Sequence, residues 1–256
     1  PRLDTEDNGP TGEIKIVDVD LDNGTIDLDV RGATEDIAHP ESVFEREYFS
    51  KKQFEEALQE LAKLVNDNNR NTYAAAHDIV GLHPPRFRDN FDIHQVSESI
   101  DPNPMQIADA IHHLDNSYLV IQGPPGTGKT YSAANAILSL IKKGHRVGIT
   151  ANTHAAAHQL LREITKFAKD HGFTADEPLR ICVKPKDGDA PLVFDEQEVA
   201  VKSVKDAKKI SADAQKFDVI VGTSFLFSNE SMRNSVDTLI IDEAGQLSLA
   251  DSLAVS

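Results

Sequence analysis

The chain has 256 residues, 39% of them hydrophobic, enough for one large core or for one core with a small satellite domain. No apolar run approaches the ~20 residues needed to span a bilayer, and Pro1-Arg2-Leu3-Asp4 is neither an initiator Met nor a signal-peptide core; the expectation is a cytoplasmic protein with no membrane partner, read as an internal fragment. A net charge of −16 argues against a nucleic-acid partner taken whole, but residues 1–100 carry 22 acidic and 10 basic side chains and residues 101–256 carry 20 and 16, so the acidity belongs mainly to the first part.

In chain order, residues 13–20 alternate apolar and polar, Asp22-Asn23-Gly24 supplies a turn, and residues 25–30 alternate again, which predicts a β-hairpin. Ser50 with Gln53 reads as a capping box ahead of a helix whose apolar face is Phe54, Leu58, Leu61 and Val65. A second short helix runs from about Tyr73 to Gly81, and Pro84-Pro85 closes the section. From Asp101 the pattern becomes short apolar strands separated by helices, with strands expected at 118–121, 147–150, 179–183, 219–221 and 239–241. That alternation implies an α/β domain with a parallel sheet covered by helices on both faces. The helix after the first of these strands places Ala134, Ile137, Leu138 and Ile141 on one side and stops at Lys142-Lys143-Gly144. The only cysteine, Cys182, lies between Ile181 and Val183, cannot form an internal disulfide, and reads as a core residue. Residues 183–217, rich in Lys and Asp, read as a loop followed by an exposed helix.

Gly123-Pro124-Pro125-Gly126-Thr127-Gly128-Lys129-Thr130 matches G-x-x-x-x-G-K-[ST] between an expected strand and an amphipathic helix. In such a P-loop, glycines let backbone N–H groups converge on phosphates at a helix N-terminus, where the dipole also favours anions. Lys129 is then the partner of the β- and γ-phosphates of ATP, and the Thr130 hydroxyl a ligand of Mg²⁺. The complementary acid belongs at the end of a neighbouring strand, and Thr238-Leu239-Ile240-Ile241-Asp242-Glu243 supplies it. Asp242 is placed to hold the metal shell and Glu243 to orient or deprotonate the attacking water.

The strings from Ile121 to Thr130 and Asp242-Glu243-Ala244-Gly245-Gln246 resemble superfamily 1 helicases, in the branch that contains the nonsense-mediated-decay helicase and senataxin. The resemblance covers residues 101–256 and implies a first RecA-like motor domain of an ATP-dependent helicase. It implies that Gln106, in Asn103-Pro104-Met105-Gln106, reads the adenine, and that Gln246 senses the γ-phosphate. It also implies that Asn152, Thr153 and His154, in the family's motif Ia, and Thr223, in motif Ic, face single-stranded nucleic acid, with DNA preferred over RNA. Asn152 and His154 replace the commoner Pro and Asn, a variant that, with the ending Gln246-Leu247-Ser248-Leu249-Ala250, is similar to microbial proteins that fuse a RecB-like nuclease to a helicase. A second motor domain, carrying the arginines that act on the transferring phosphate, and an upstream nuclease are the partners this implies. Residues 1–48 then correspond to a partial β-barrel-like module and 49–100 to a helical stalk.

Competing readings attach to several residues. His154 and His158 have a metal-ligand spacing but lack the Glu and third ligand of a zinc site, so they read as loop and helix-surface residues. His112-His113 reads as a surface pair, and Lys202, Lys205, Lys208 and Lys209, interspersed with Asp206 and Asp213, as a solvated face more than a phosphate track. For the whole chain, the alternatives are a P-loop ATPase outside nucleic-acid metabolism and a nucleotide-gated interaction module.

Overall fold

The computed structural model describes residues 13–31, 51–67, 69, 71–97, 103–124, 126–186 and 192–256. The chain divides into two compact units, Pro1–Ser50 and Lys51–Ser256. In the first, β1 (Glu13–Asp20) and β2 (Thr25–Arg31) form an antiparallel hairpin with a register shift between Ile16 and Asp18. The turn forms where expected. The Asp20 carboxylate accepts from the backbone N–H groups of Asp22 and Asn23, both at 3.0 Å, and from Asn23 Nδ2 at 2.7 Å, the local bonding that makes Asx residues turn formers.

The second unit begins with α1 (Lys52–Asn66), α2 (Ala74–Val80) and the short α3 (His94–Ser97). Phe54 and Leu61 are buried as expected, but Val65 is 40% exposed. Ser50, half of the expected capping box, lies outside the described residues. Gln53 does not cap α1; its Nε2 donates to the Phe225 carbonyl at 2.7 Å and to Ser228 Oγ at 3.0 Å, so a tertiary contact has taken the side chain. Asp78 of α2 is buried and accepts from Ser117 Oγ (2.6 Å) and Arg86 Nε (3.0 Å). Burial alone would raise its pKa, but these two bonds and the Arg86 charge outweigh it and leave the carboxyl below its ordinary range.

Five parallel strands follow: β3 (Val147–Thr150), β4 (Leu179–Val183), β5 (Val199–Ser203), β6 (Val219–Val221) and β7 (Thr238–Ile241), in the spatial order β5-β4-β6-β3-β7. One face is covered by α4 (Pro104–His112), α5 (Lys129–Lys142) and α6 (His154–Phe167). There Ile137, Leu138, Leu160, Leu161 and Ile164 pack with Val147, Ile149, Ile181, Val219 and Val221. The other face carries α7 (Ala207–Ala212) and α8 (Ser224–Phe227), whose Ile210 and Leu226 pack with Cys182 and Ile220. Neighbouring residues Ile181 and Cys182 thus enter opposite cores, as period-2 alternation requires. Burial pushes the Cys182 thiol up to about 11, consistent with a core residue. The chain ends in α9 (Leu249–Val255), which packs on α1. No helix among the described residues is long and apolar enough to cross a membrane.

Three expectations need correction. Residues 118–121 do not join the sheet: the Tyr118 hydroxyl donates to the His83 carbonyl (2.8 Å), and Val120 and Ile121 are 74% and 49% exposed, which leaves their backbone groups to solvent. Residues 183–217 contain β5, a strand hidden from composition by its charged flanks, and the helix after it is only partly exposed because Ile210 is fully buried. His112 is half-buried and engaged rather than a free surface residue. Its Nδ1 lies 2.7 Å from His145 Nε2, and His145 Nδ1 lies 2.9 Å from Thr238 Oγ1; burial, first of all, holds both rings below the usual histidine range.

Gly148 tests how tightly β3 is packed between its layers. A Cβ there would meet Leu239 Cδ1 and Phe227 Cε1, each at 2.9 Å. Gly148→Ala is expected to destabilise the fold by about 1–3 kcal/mol, read as a lower urea midpoint at unchanged slope; an unchanged midpoint would show that Phe227 and Leu239 yield freely.

Candidate nucleotide site at the carboxyl edge of the sheet

The phosphate loop enters α5 through Gly128, and both Gly126 and Gly128 sit at positive φ, 81° and 77°, where a side chain would be strained. No atom lies within 4 Å of a Cβ built at either position, so the backbone on that side is open to a ligand. Lys129 opens the 14-residue helix, and its ammonium donates to the carbonyls of Gly123 (2.6 Å) and Pro124 (3.1 Å). Thr127 Oγ1 donates to the same Pro124 carbonyl at 2.8 Å. Thr130, half-exposed, lies in the first turn of α5. Pro125 lies outside the described residues. A helix N-terminus, two left-handed glycines and one cation make a cradle whose charge and shape suit a polyphosphate.

Parallel pairing brings the acidic motif to the same edge. Thr150 of β3 faces Ile241 of β7, and the next N–H, that of Asp242, donates to the Thr150 carbonyl at 2.8 Å. Burial raises the Asp242 carboxyl above the usual carboxylate range. The Glu243 charge adds to the rise, while the Glu243 N–H, 3.1 Å from Asp242 Oδ1, and the Lys129 charge oppose it. A desolvated carboxylate that feels the P-loop lysine suits a divalent cation, whose charge would favour the ionised form that burial disfavours. Glu243 is exposed and sits at φ 51°, an uncommon left-handed conformation for a glutamate, and its carbonyl accepts from the Gln246 N–H at 2.8 Å. The Gln246 residue is exposed.

The residues expected at nucleic acid lie along this edge, after β3, the neighbour of β7, and after β6, the next strand. Asn152 and Thr153 are exposed after β3; Thr153 Oγ1 caps α6 by accepting from the Ala156 N–H at 3.2 Å, and His154 is the first helical residue. The Gly222 N–H donates to the Ile149 carbonyl at 3.1 Å, which ties the exit of β6 to β3 and sets Thr223, half-exposed, near them. The lysine set is divided: Lys202 is in β5, and Lys208 and Lys209 are in α7.

The Gln106 side chain is engaged in its own helix start. Its Oε1 accepts from the Asn103 N–H at 3.0 Å, while Asn103 Oδ1 accepts from the Met105 N–H at 2.9 Å, a capping box that starts α4. Sequence reasoning missed two features of the edge. Thr150, fully buried beside Asp242, has a hydroxyl with no hydrogen-bond partner among the described residues, and no residue pattern signals it. Tyr131, directly after Lys129-Thr130, is a half-exposed aromatic on α5; an aromatic on the polar face of that helix was a readable signal.

The shift at Asp242 makes a pH prediction. A carboxyl whose folded pKa lies above its unfolded value stabilises fully below the unfolded pKa, near 3.9, and that stability is lost as pH rises through the folded pKa. Ionised Asp242 therefore costs stability at neutral pH. In the absence of nucleotide and Mg²⁺, Asp242→Asn is expected to melt higher than wild type at pH 7, with the advantage shrinking as pH falls toward about 4; a lower melting point at pH 7 would contradict the assignment.

The family described as "AAA domain" matches residues 101–256. The chain is 33% identical over 138 residues to the human protein called DNA replication ATP-dependent helicase/nuclease DNA2, covering 53% of this chain and 12% of that protein. It is 27% identical over 186 residues to the protein of the same name in Saccharomyces cerevisiae, covering 68% and 11%. It is 33% identical over 96 residues to a Drosophila melanogaster regulator of nonsense transcripts 1 homolog, covering 37% and 8%. The chain thus spans about a tenth of the length of these relatives, and no solved structure matches it. With a parallel sheet, a P-loop and an Asp-Glu pair at one edge, the chain belongs to the AAA-domain family, on the superfamily 1 helicase branch to which its motifs pointed.

Proposed function

We propose that residues 101–256 are the first ATP-binding motor domain of an ATP-dependent helicase that acts on single-stranded nucleic acid in the cytoplasm. The observation that carries this reading is the shared edge: Lys129 at the start of α5 and Asp242-Glu243 at the end of β7, close enough for the Lys129 charge to be felt at Asp242. Lys129 would exchange its loop carbonyls for phosphate oxygens, and the Gly126–Gly128 backbone would add N–H donors. Thr130 and Asp242 would hold Mg²⁺, which when bound supplies positive charge against the β- and γ-phosphates. Glu243 would take the proton of the attacking water, its exposure leaving it free to reach one. Gln246, three residues after Glu243, would report γ-phosphate contact to a second motor domain.

DNA is favoured over RNA because the relatives from human and yeast are named for DNA replication. Their names also include a nuclease, which supports an attached nuclease in this protein. Asn152, Thr153, His154 and Thr223 would meet the strand, residues 1–48 would form part of an accessory β module, and 49–100 a helical stalk. The arginines that stabilise transferring charge belong to the second motor domain, and such a residue is worth about 10³–10⁵ in turnover.

In a polypeptide that includes that domain, single-stranded DNA is expected to stimulate ATP hydrolysis, and Glu243→Gln to lower turnover by about 10²–10⁴ while nucleotide binding persists. The 256-residue chain alone is expected to hydrolyse ATP far more slowly. Hydrolysis indifferent to nucleic acid would favour a P-loop ATPase of another kind.

A further inference from the structure

The short helix α8 is held from two sides, and Thr223, the residue before it, follows the exit of β6 at the carboxyl edge of the sheet. Leu226 of α8 is fully buried with Ile220 and Cys182, while the Phe225 ring meets Phe54 of α1 edge to face, centroids 4.8 Å apart and planes at 78°. From the same helix α1, Gln53 Nε2 donates to the Phe225 carbonyl at 2.7 Å and to Ser228 Oγ at 3.0 Å. We propose that Gln53 is a positioning residue for nucleic-acid binding: by clamping the far end of α8 it fixes Thr223 at the edge of the sheet. The inference rests on the reading of Thr223 as a residue that meets single-stranded nucleic acid, and adds to it a residue that holds Thr223 without touching the strand.

A single helical turn does not hold itself. The four residues of α8 close too few backbone bonds to offset the cost of helix nucleation, so the turn depends on its surroundings. The Ser228 N–H donates to the Ser224 carbonyl at 2.9 Å, but the next N–H, that of Asn229, turns to the Leu226 carbonyl at 3.2 Å in place of Phe225. The Phe225 carbonyl is therefore one of the orphans that a helix end leaves, and the Gln53 amide satisfies it from another helix. Ser228, buried, accepts from the same amide nitrogen, and its Oγ faces the Phe225 carbonyl at 3.5 Å, so both N–H groups of Gln53 are spent on one turn of chain.

Thr223 needs that clamp because its own side chain does not supply one. It is half-exposed, with φ −78° and ψ 173°, and makes no side-chain capping bond to α8, whereas Thr153 is tied to α6 by its Oγ1. Thr223 is held instead by the backbone on either side. Upstream, the Gly222 N–H donates to the Ile149 carbonyl at 3.1 Å, and a Cβ at Gly222 would meet Leu226 Cδ2 at 2.6 Å, so the strand exit lies directly against α8. Downstream, the hold is α8 itself, clamped by Gln53. A contact residue on loose backbone gives up part of its binding free energy to being ordered, so freeing α8 weakens the strand and leaves the phosphate loop alone. The other polar ties of α1 run to different places: Glu60 accepts from Arg233 at 2.7 Å, and Lys51 lies 3.3 Å from Asp251 of α9.

The test separates the strand from the nucleotide and the clamp from general loosening of α1. Affinity for a labelled oligothymidine, read by fluorescence anisotropy, and for ATP with Mg²⁺, read by calorimetry, are measured on the wild-type chain, Gln53→Ala, Gln53→Glu and Glu60→Gln. Gln53→Glu keeps the shape of the side chain and loses both donors; Glu60→Gln weakens the Arg233 tie of the same helix and leaves α8 clamped. The expected result is a loss of about tenfold in oligothymidine affinity for both Gln53 variants, wild-type oligothymidine affinity for Glu60→Gln, and one ATP affinity for all four proteins. Unchanged oligothymidine affinity in Gln53→Ala, an equal loss in Glu60→Gln, or an equal loss for ATP would overturn the positioning role. If the wild-type chain binds ATP but no oligothymidine, the nucleic-acid reading of Thr223 fails, and this inference with it.

Discussion

Parallel strand pairing is the constraint from which the rest of this molecule follows. Because β3, β4, β5, β6 and β7 all run in one direction, the loop leaving each strand emerges at one edge of the sheet. Ligand sites in open α/β sheets gather at that edge. A single register, Thr150 opposite Ile241, then sets Asp242 against the end of β3, where its N–H closes on the Thr150 carbonyl. The two buried cores hold that register: α4, α5 and α6 cover one face, and α7 and α8 the other, with alternate strand residues entering each. A slip of one residue in β7 would move Asp242 off the end of β3, just as a slip in β4 would exchange Ile181 and Cys182 between the two cores.

The edge stores unfavourable terms that a bound ligand would relieve. Asp242 is desolvated and adjacent to a second carboxylate, Glu243 occupies a backbone conformation that favours glycine, and the Lys129 ammonium is satisfied by carbonyls of its own loop. The Asp242 carboxylate and the Lys129 ammonium would each find a natural partner in a metal nucleotide: a cation for the carboxylate, phosphate oxygens for the ammonium. Local strain and perturbed ionisation concentrated in one place are how a stable scaffold carries a reactive site.

The phosphate loop was readable because its chemistry dictates residue types at fixed spacing, and Asp242-Glu243 because a short apolar strand delivers it. The hairpin turn was readable because Asp20, Asn23 and Gly24 satisfy the turn locally. What escaped depends on contacts distant in sequence. Gln53 looked like a capping residue until α8 claimed its amide, and residues 118–121 looked like a strand although Tyr118 is bonded to His83 and Val120 and Ile121 face solvent. The strand β5 was hidden by charged neighbours, since an edge strand needs few apolar residues. Met105 reads as an ordinary helix residue because a cleft between separate elements has no signature in any one of them, whereas Tyr131, an aromatic on the polar face of α5, is a readable signal.

The measurement that bears most directly on the shared-edge account is binding of a fluorescent ATP analogue to the chain, to Lys129→Ala and to Asp242→Ala, with and without Mg²⁺ and single-stranded DNA. The account predicts Mg²⁺-dependent binding in the wild type, its loss in Lys129→Ala, loss of the Mg²⁺ dependence in Asp242→Ala, and a change in wild-type affinity when DNA is added. Binding that survives both substitutions with its Mg²⁺ dependence intact would place the nucleotide elsewhere and contradict it.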